Sequence, residues 1–189
     1  MPSKFKAIKG QIRRRWFNDL SHWLARGTMQ GHVIYTNDPA INCNKFLRQL
    51  YGETLTYLGQ NEFKLKCKPA YISAERAGEL KTAEEVRKYL SDVVDCPELL
   101  AGGADVRSFG YRPLFFIENL DLLIARVDKI VELKRLGRLE WTGLQSHFKE
   151  ASDTGAFNVV LTAADYKNSV FTAGRAGPFL IYCAHELKM

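Results

Sequence analysis

Two short runs of apolar residues limit the folds open to this chain most strongly. Residues 114–117 read Leu-Phe-Phe-Ile, and residues 157–162 read Phe-Asn-Val-Val-Leu-Thr. A continuous apolar run of this length is typical of a central strand, because such a strand is covered on both faces. The two runs therefore predict a sheet that lies between layers of helices.

The rest of the chain alternates between strand patterns and helix patterns. The other predicted strands are residues 31–36, 63–73 and 178–183. The predicted helices after the first strand are residues 41–51, 81–94, 120–136 and 141–151. Lysines alternate with apolar residues in the second strand, which indicates a sheet edge with a charged outer face. The alternation predicts a three-layer α/β fold, with a mostly parallel five-stranded sheet and helices on both faces.

Composition fits one ordinary globular domain with an appendage. The chain has 189 residues, of which 46% are hydrophobic and 25% are charged. No apolar run reaches the ~18 residues of a membrane span. The four cysteines are far apart and form no C-x-x-C pair, so we expect free thiols in a reducing compartment rather than a zinc site.

The positive charge of the chain is concentrated at its amino terminus. Residues 1–26 carry seven Lys or Arg against one Asp, whereas the remainder has 20 basic and 20 acidic residues. Apolar residues recur in this segment every three or four positions, which predicts a basic amphipathic helix that ends at Gly27. We therefore divide the chain into a helical anchor at residues 1–27 and an α/β domain at residues 28–189.

Several roles are open to this basic helix. It could pack on its own domain, target the protein to mitochondria, lie on an anionic membrane surface, or dock on RNA or on a partner protein. In the nucleic-acid case, basic side chains would contact phosphates while a tryptophan stacks on bases. The candidate contact residues are Lys4, Lys6, Lys9, Arg13, Arg14, Arg15, Trp16 and Trp23.

Ligands of open α/β sheets bind at the carboxyl ends of the strands. The residues that follow the predicted strands are therefore the positions to inspect: residues 36–39, Glu118 with Asn119, and residues 163–165. Glu118 and Asp121 could also serve only as acids at a helix start, where the helix dipole favours them.

Two of these regions resemble the P-loop NTPases of the AAA+ and related classes. Residues 114–121 resemble a Walker B strand with its acidic tip, and residues 157–162 resemble the following strand, which ends in a polar sensor residue. The resemblance covers roughly residues 31–185. It implies that Glu118 takes the position of the metal-side acid, Asn119 that of the catalytic glutamate, and Thr162 that of the sensor.

The chain departs from this family where phosphate is bound and water is activated. GxxxxGK[ST] is absent, and no glycine occurs between Gly31 and Gly52. An amide at Asn119 cannot act as a general base. We therefore expect no NTP hydrolysis, no catalytic residue, no metal and no cofactor. Lys45, Glu118 and Thr162 are the candidate nucleotide contacts that the resemblance leaves, although Lys45 also fits an ordinary exposed helix lysine.

The sequence thus predicts a non-catalytic structural or scaffolding subunit of a larger assembly, on a degenerate nucleotide-binding-like fold. Its partners would be other protein subunits, and the helix at residues 1–26 would be the anchor. That helix favours a mitochondrial location, with the cytoplasm as the alternative. A nucleic-acid-binding module, a membrane-surface subunit and an enzyme with an unrecognised site at the strand ends are the other hypotheses.

Overall fold

The computed structural model describes most of the chain. The described residues are 2–26, 31–61, 67–97, 111–128, 130–133, 138–141, 143–144, 147–148, 157–168 and 183–188. The helices are α1 (Pro2–Arg26), α2 (Cys43–Gln60), α3 (Ala74–Glu79), α4 (Ala83–Val94) and α5 (Leu120–Val127). The strands are β1 (His32–Tyr35), β2 (Cys67–Ile72), β3 (Arg112–Ile117), β4 (Ile130–Leu133), β5 (Arg138–Trp141), β6 (Asn158–Thr162) and β7 (Cys183–Glu186).

Five strands form one parallel sheet in the order β2-β3-β6-β1-β7. The two apolar runs that predicted the sheet are β3 and β6, and they pair at its centre, with Phe115 opposite Val159. β2 lies at an edge, as its pattern predicted. The α/β prediction, with helices on both faces of a five-stranded sheet, is confirmed.

Each face of the sheet has its own hydrophobic core. Phe115 and Ile117 of β3 belong to a core shared with α3, α4 and α5. Leu114 and Phe116 point to the opposite face, where they join a core shared with α1 and α2. All four side chains are fully buried. This alternation follows from the two-residue period of a strand, and it explains why a central strand must be apolar throughout.

Side-chain caps set where the helices begin. The Asn42 side chain accepts a hydrogen bond from the Lys45 backbone N–H at 2.9 Å, so α2 begins at Cys43. Thr82 and Glu85 form a reciprocal capping box at the start of α4. α2 continues well beyond the predicted residue 51, because Leu58 extends its buried stripe.

α1 is an integral part of the core on its side of the sheet. Trp16, Leu20 and Trp23 are 0–1% exposed, and the Trp16 Nε1–H donates to Thr54 Oγ1 on α2 at 2.9 Å. The predicted roles of Trp16 and Trp23 in stacking on bases or entering a lipid interface are therefore wrong for this structure. The helix itself, ending at Arg26, is confirmed.

The predicted helix over residues 120–136 is wrong in its second half. α5 ends at Val127, and Ile130–Leu133 pairs antiparallel with Arg138–Trp141 as a hairpin. Apolar residues at positions 130, 131 and 133 satisfy a helical stripe, but β-branched Ile130 and Val131 also suit a strand. The next predicted helix, over residues 141–151, begins too early, because Trp141 is the last residue of β5.

The chain resumes a helical turn after Gly143, whose φ of 71° lies in the left-handed region. A Cβ at Gly143 would lie 2.9 Å from Asp128 Oδ1. Leu144 and Phe148 enter the core, as their spacing predicted. β7 covers Cys183–Glu186 and so continues beyond the predicted end at residue 183. Residues 62–66, 98–110 and 178–182, which held further sequence predictions, lie outside the described residues.

Cys43 and Cys67 are buried free thiols, and Cys96 is also buried. In the described part of the chain, no helix is both long and apolar enough to cross a bilayer. Among the same residues, no group of three or more metal-ligating side chains is close enough to hold an ion.

Candidate functional site

The carboxyl ends of β1, β3 and β6 open onto a polar cleft of about 530 Å³. This is the position where ligands bind in sheets of this kind. The polar side chains that line the cleft are mostly amides and carboxylates: Asn37, Asp38, Asn42, Asn44, Asn119 and Asp165. The cleft therefore has the place of a nucleotide site, but its lining is neutral to acidic.

The connection from β1 to α2 has the length of a phosphate-binding loop but not its residues. In the strand–GxxxxGK[ST]–helix arrangement, the register that begins two residues after β1 places Asn37 and Asn42 at the glycines. It places Cys43 at the lysine and Asn44 at the hydroxyl. Burial raises the pKa of the Cys43 thiol to about 11, so this position carries no charge to attract a phosphate.

Three backbone amides of this connection and of the first turn of α2 are bonded to the chain's own side chains. The Asp38 N–H donates to Thr36 Oγ1 at 3.0 Å, and the Ala40 N–H donates to Asp38 Oδ1 at 2.9 Å. The Lys45 N–H donates to the Asn42 cap. A phosphate cradle needs such N–H groups to point at the ligand. The residues of this connection therefore do not form the phosphate cradle by which a Walker A loop binds a nucleoside triphosphate.

Glu118, predicted to take the position of the metal-side acid, is a buried structural anion. Its Oε1 accepts from Arg48 Nη2 at 2.8 Å and from the Tyr71 hydroxyl, and its Oε2 accepts from the Ala74 N–H at 2.8 Å. Burial by itself would raise the pKa of Glu118, but these hydrogen bonds outweigh it and the pKa is lowered. The carboxylate joins α2, β2 and the start of α3.

Thr162, predicted to be the sensor, lies at the end of β6 and connects the residue that follows Glu118 to α2. Its hydroxyl accepts from the Asn119 N–H at 2.9 Å and donates to Asn44 Oδ1 at 2.5 Å. Asn119 has a φ of 51°, in the left-handed region that Asn tolerates better than most residues. The structure thus brings Thr162 to Asn119 and Asn44, in a chain of hydrogen bonds within the protein.

Asp121 has a role that its position at a helix start did not reveal. Its carboxylate accepts from the Ala164 N–H at 3.0 Å and from the Asp165 N–H at 3.1 Å, so it fixes the turn that follows β6. Asp121 is 3% exposed. Sequence reasoning also missed Asn44, Arg48 and Tyr71, because their partners lie 47 to 118 residues away along the chain.

Lys45 is exposed on the first turn of α2 and is not part of this network. It lines a second groove of about 520 Å³ beside the cleft, together with Arg48, Gln49 and Glu118. The Arg48 side chain remains 65% exposed although it pairs with Glu118. This groove therefore presents two cationic side chains to solvent.

Most basic residues of α1 are exposed, and two of its arginines lie close to carboxylates. The exposed ones are Lys4, Lys6, Arg14, Arg15 and Arg26. Arg13 pairs with Glu53 of α2 at 2.7 Å, and Arg15 lies 3.8 Å from Asp19. The predicted contact surface therefore keeps most of its cations in solvent while its two tryptophans are buried.

Two histidines, His32 and His185, meet where α1 covers β1 and β7. His32 Nε2 lies 2.9 Å from Asp19 Oδ2, and this hydrogen bond is the main reason that the pKa of Asp19 is lowered. His185 stacks on His32 with ring centroids 5.6 Å apart, and burial lowers the pKa of His185 to about 4. His32 opens β1, so this cluster helps to dock α1 and lies away from the cleft.

Strand order, cleft position and the polar tips of β3 and β6 define the class of fold: a P-loop NTPase-like α/β domain of the AAA+ kind. No family model matches the chain, and no curated protein matches it. Solved structures that are similar to it include ORC proteins. The Aeropyrum pernix ORC2 protein in its ADPNP-ADP complexes aligns with a TM-score of 0.57 at 13% identity, over 98% of this chain and 47% of that one.

The ADP form of the same ORC2 protein gives a TM-score of 0.52 at 14% identity, over 94% of this chain and 46% of that one. Drosophila ORC bound to AT-rich DNA and Cdc6 gives 0.47 at 13% identity, over 88% of this chain and 50% of that chain. The chain spans about half the length of these neighbours. At such low identity the likeness shows the fold alone.

Proposed function

We propose that this protein is a non-catalytic structural subunit of a larger assembly, built on an AAA+-like fold with a degenerate phosphate site. The observation that carries the proposal is the bonding of Glu118. In an NTPase the acid at this position must be free to act on a metal ion or on water, whereas here three donors engage the carboxylate.

The β1–α2 connection supports the same proposal independently. The residues at its lysine and hydroxyl positions are an uncharged thiol and an amide, and the Asp38 and Ala40 N–H groups are bonded within the loop. The ORC2 neighbours are described with ADP and ADPNP. For this chain we propose that the corresponding cleft performs no hydrolysis, and that the fold is retained as a framework for partners.

ATP turnover by the full chain tests the loss of catalysis. We expect no turnover above a protein-free blank, for the wild type and equally for Glu118→Gln. Glu84→Gln is the matched control. Glu84 is an exposed glutamate on α4, which packs on the face of the sheet opposite α2. Turnover that is present in the wild type and in Glu84→Gln, but lost in Glu118→Gln, would overturn the proposal.

Native purification of the tagged full chain from its source tests the subunit role. We expect stoichiometric protein partners that survive nuclease treatment. Enrichment of mitochondrial proteins would support the predicted location. A protein that purifies alone with and without nuclease would contradict the subunit role, whatever the outcome of the turnover assay.

A further inference from the structure

The two helical layers of the protein differ in charge. α1 and α2, which we call the basic layer, carry nine Lys or Arg against two acidic residues. α3, α4 and α5 on the other face carry four Lys or Arg against six acidic residues. The sequence located the charge in α1; the fold adds α2 to the same surface, because both helices pack on one core.

Cations from the two helices meet at the seam of the basic layer. Lys9 Nζ lies 4.4 Å from the ring centroid of Phe5 and 5.3 Å from that of Phe46 on α2. Arg13 lies over the same Phe46 ring at 5.1 Å. Burial, and then the nearby charges of Arg13 and Lys45, lower the pKa of Lys9. The seam therefore brings like charges together, and an anionic partner would relieve their repulsion.

The groove beside the seam adds hydrogen-bonding groups to the charge. Lys45 and Arg48 line it together with the amides of Asn42, Asn44 and Gln49. Side chains of these types make the contacts that position a protein on phosphate and sugar. Arg48 can donate further because its side chain is 65% exposed beyond its bond to Glu118.

We propose that the basic layer binds the phosphate backbone of nucleic acid, with Lys45 and Arg48 in the groove and the exposed cations of α1 along the strand. The surface fits an extended polyanion. α1 has 25 residues and is therefore about 37 Å long, close to one turn of B-form DNA. Its exposed cations extend from Lys4 to Arg26, over most of that length.

A lipid surface fits these observations less well. Interfacial helices insert apolar and aromatic residues between lipid headgroups. Here Trp16, Leu20 and Trp23 are buried against the sheet. Among the described residues, Leu55 is the large exposed hydrophobic side chain on the basic layer. The contact therefore depends on charge and hydrogen bonding.

Fluorescence anisotropy with a labelled 25-base-pair duplex tests this proposal on the full chain. We expect binding at 50 mM salt that weakens steeply as salt increases, because each phosphate contact releases condensed counterions. Lys45→Glu and Arg14→Glu should each weaken binding about 3- to 10-fold, and each should reduce the slope of log K against log salt by about 1. Lys88→Glu on α4 is the matched reversal, and it should change affinity less than about twofold since it lies on the other face.

Each remaining outcome overturns the proposal. Equal weakening by Lys88→Glu would show that net charge alone attracts the duplex. Binding of polyglutamate as tight as that of DNA would favour an acidic protein partner, and retention on anionic vesicles without DNA binding would favour a membrane. Failure to bind DNA at 50 mM salt would contradict it directly. Circular dichroism confirms that each reversal variant is folded, and none of these results depends on nucleotide hydrolysis or on co-purifying subunits.

Discussion

Polar groups are concentrated both at the ends of β3 and β6 and on the basic layer, but the two sets differ in burial and bonding. At the strand ends, the carboxylates of Glu118 and Asp121 and the hydroxyl of Thr162 are buried and each has partners from distant parts of the chain. On the basic layer, cations such as Lys45 and Arg14 stand in solvent. The centre where this fold usually performs chemistry is thus bonded internally, whereas the charged surface is open to a partner.

The difference shows that the position of a residue in a fold does not fix its role. Glu118 stands at the tip of a Walker B-like strand, yet its bonds to Arg48, Tyr71 and Ala74 are those of a structural anchor. A buried polar group with all its partners supports the fold, and losing one partner leaves the others unsatisfied. An exposed charge contributes little to folding and remains available for binding.

The largest expected loss of stability concerns the side of α1 that packs on the sheet. Trp16→Ala should lower the free energy of unfolding by about 3–5 kcal/mol, because a fully buried indole and its bond to Thr54 are lost. Urea denaturation measures this change. Arg14→Ala, two residues earlier on the outer side of the same helix, should change stability by less than about 0.5 kcal/mol. Similar losses in both variants would show that α1 is not docked as described.

Glu118→Gln should lower the free energy of unfolding by about 1–3 kcal/mol at pH 7, because the amide cannot accept all three hydrogen bonds. The pKa of Glu118 in the folded protein lies below its ordinary value of 4.5. Its contribution is therefore fully present above about pH 4.5 and is lost as the pH falls through the folded value. Denaturation curves at pH 7 and pH 3.5 should show the difference between wild type and variant shrinking in acid. A difference that stays constant with pH would contradict an ionised anchor.

The buried histidines should destabilise the protein in acid. Burial lowers the pKa of His147 and of His185 to about 4, below their ordinary value of 6.5. Each favours folding when neutral, so this contribution is complete above pH 6.5 and is lost as the pH falls towards 4. Partial solvent exposure limits the loss to about 1 kcal/mol each. The melting temperature of the double variant His147→Asn, His185→Asn should fall less between pH 7 and pH 4.5 than that of the wild type.

The smallest effect concerns the ion pair between the two helices of the basic layer. Arg13 and Glu53 lie 2.7 Å apart with side chains 30% and 39% exposed. A double-mutant cycle with Arg13→Gln and Glu53→Gln should give a coupling energy of about 0.2–1 kcal/mol that decreases at high salt. A coupling above about 2 kcal/mol would mean that the charges of the basic layer support the fold more than this comparison allows.

Much of the architecture could be predicted because it follows from local patterns. The apolar runs of β3 and β6 specify strands buried on both faces, and the stripe of α1 specifies one buried side. The prediction was wrong after Val127, because residues 128–136 satisfy a helical period and a strand alternation equally well. There the pairing of Ile130 with Trp141 decides the structure, and pairing between strands is not a local property.

The strand-end network could be located from the sequence but not described from it. Glu118 and Thr162 were identified as strand-end residues, but nothing near them in the chain indicated Tyr71 or Asn44 as partners. The burial of Trp16 was one of several open alternatives for α1, because an amphipathic stripe looks the same whether it faces a sheet, a partner or a membrane. Only the fold shows that α2 adds Lys45 and Arg48 to the basic layer.

Equilibrium nucleotide binding is the decisive test of whether internal bonding has replaced the phosphate site of this fold. Calorimetric titration of the full chain with ATP and Mg²⁺ at pH 7 and 150 mM salt should give only the heat of dilution, because the β1–α2 connection has no cation at the lysine position and bonds its Asp38 and Ala40 N–H groups internally. One-to-one binding at micromolar concentration, weakened by Asn44→Asp but not by Lys88→Glu, would contradict the claim and restore the cleft as a nucleotide site.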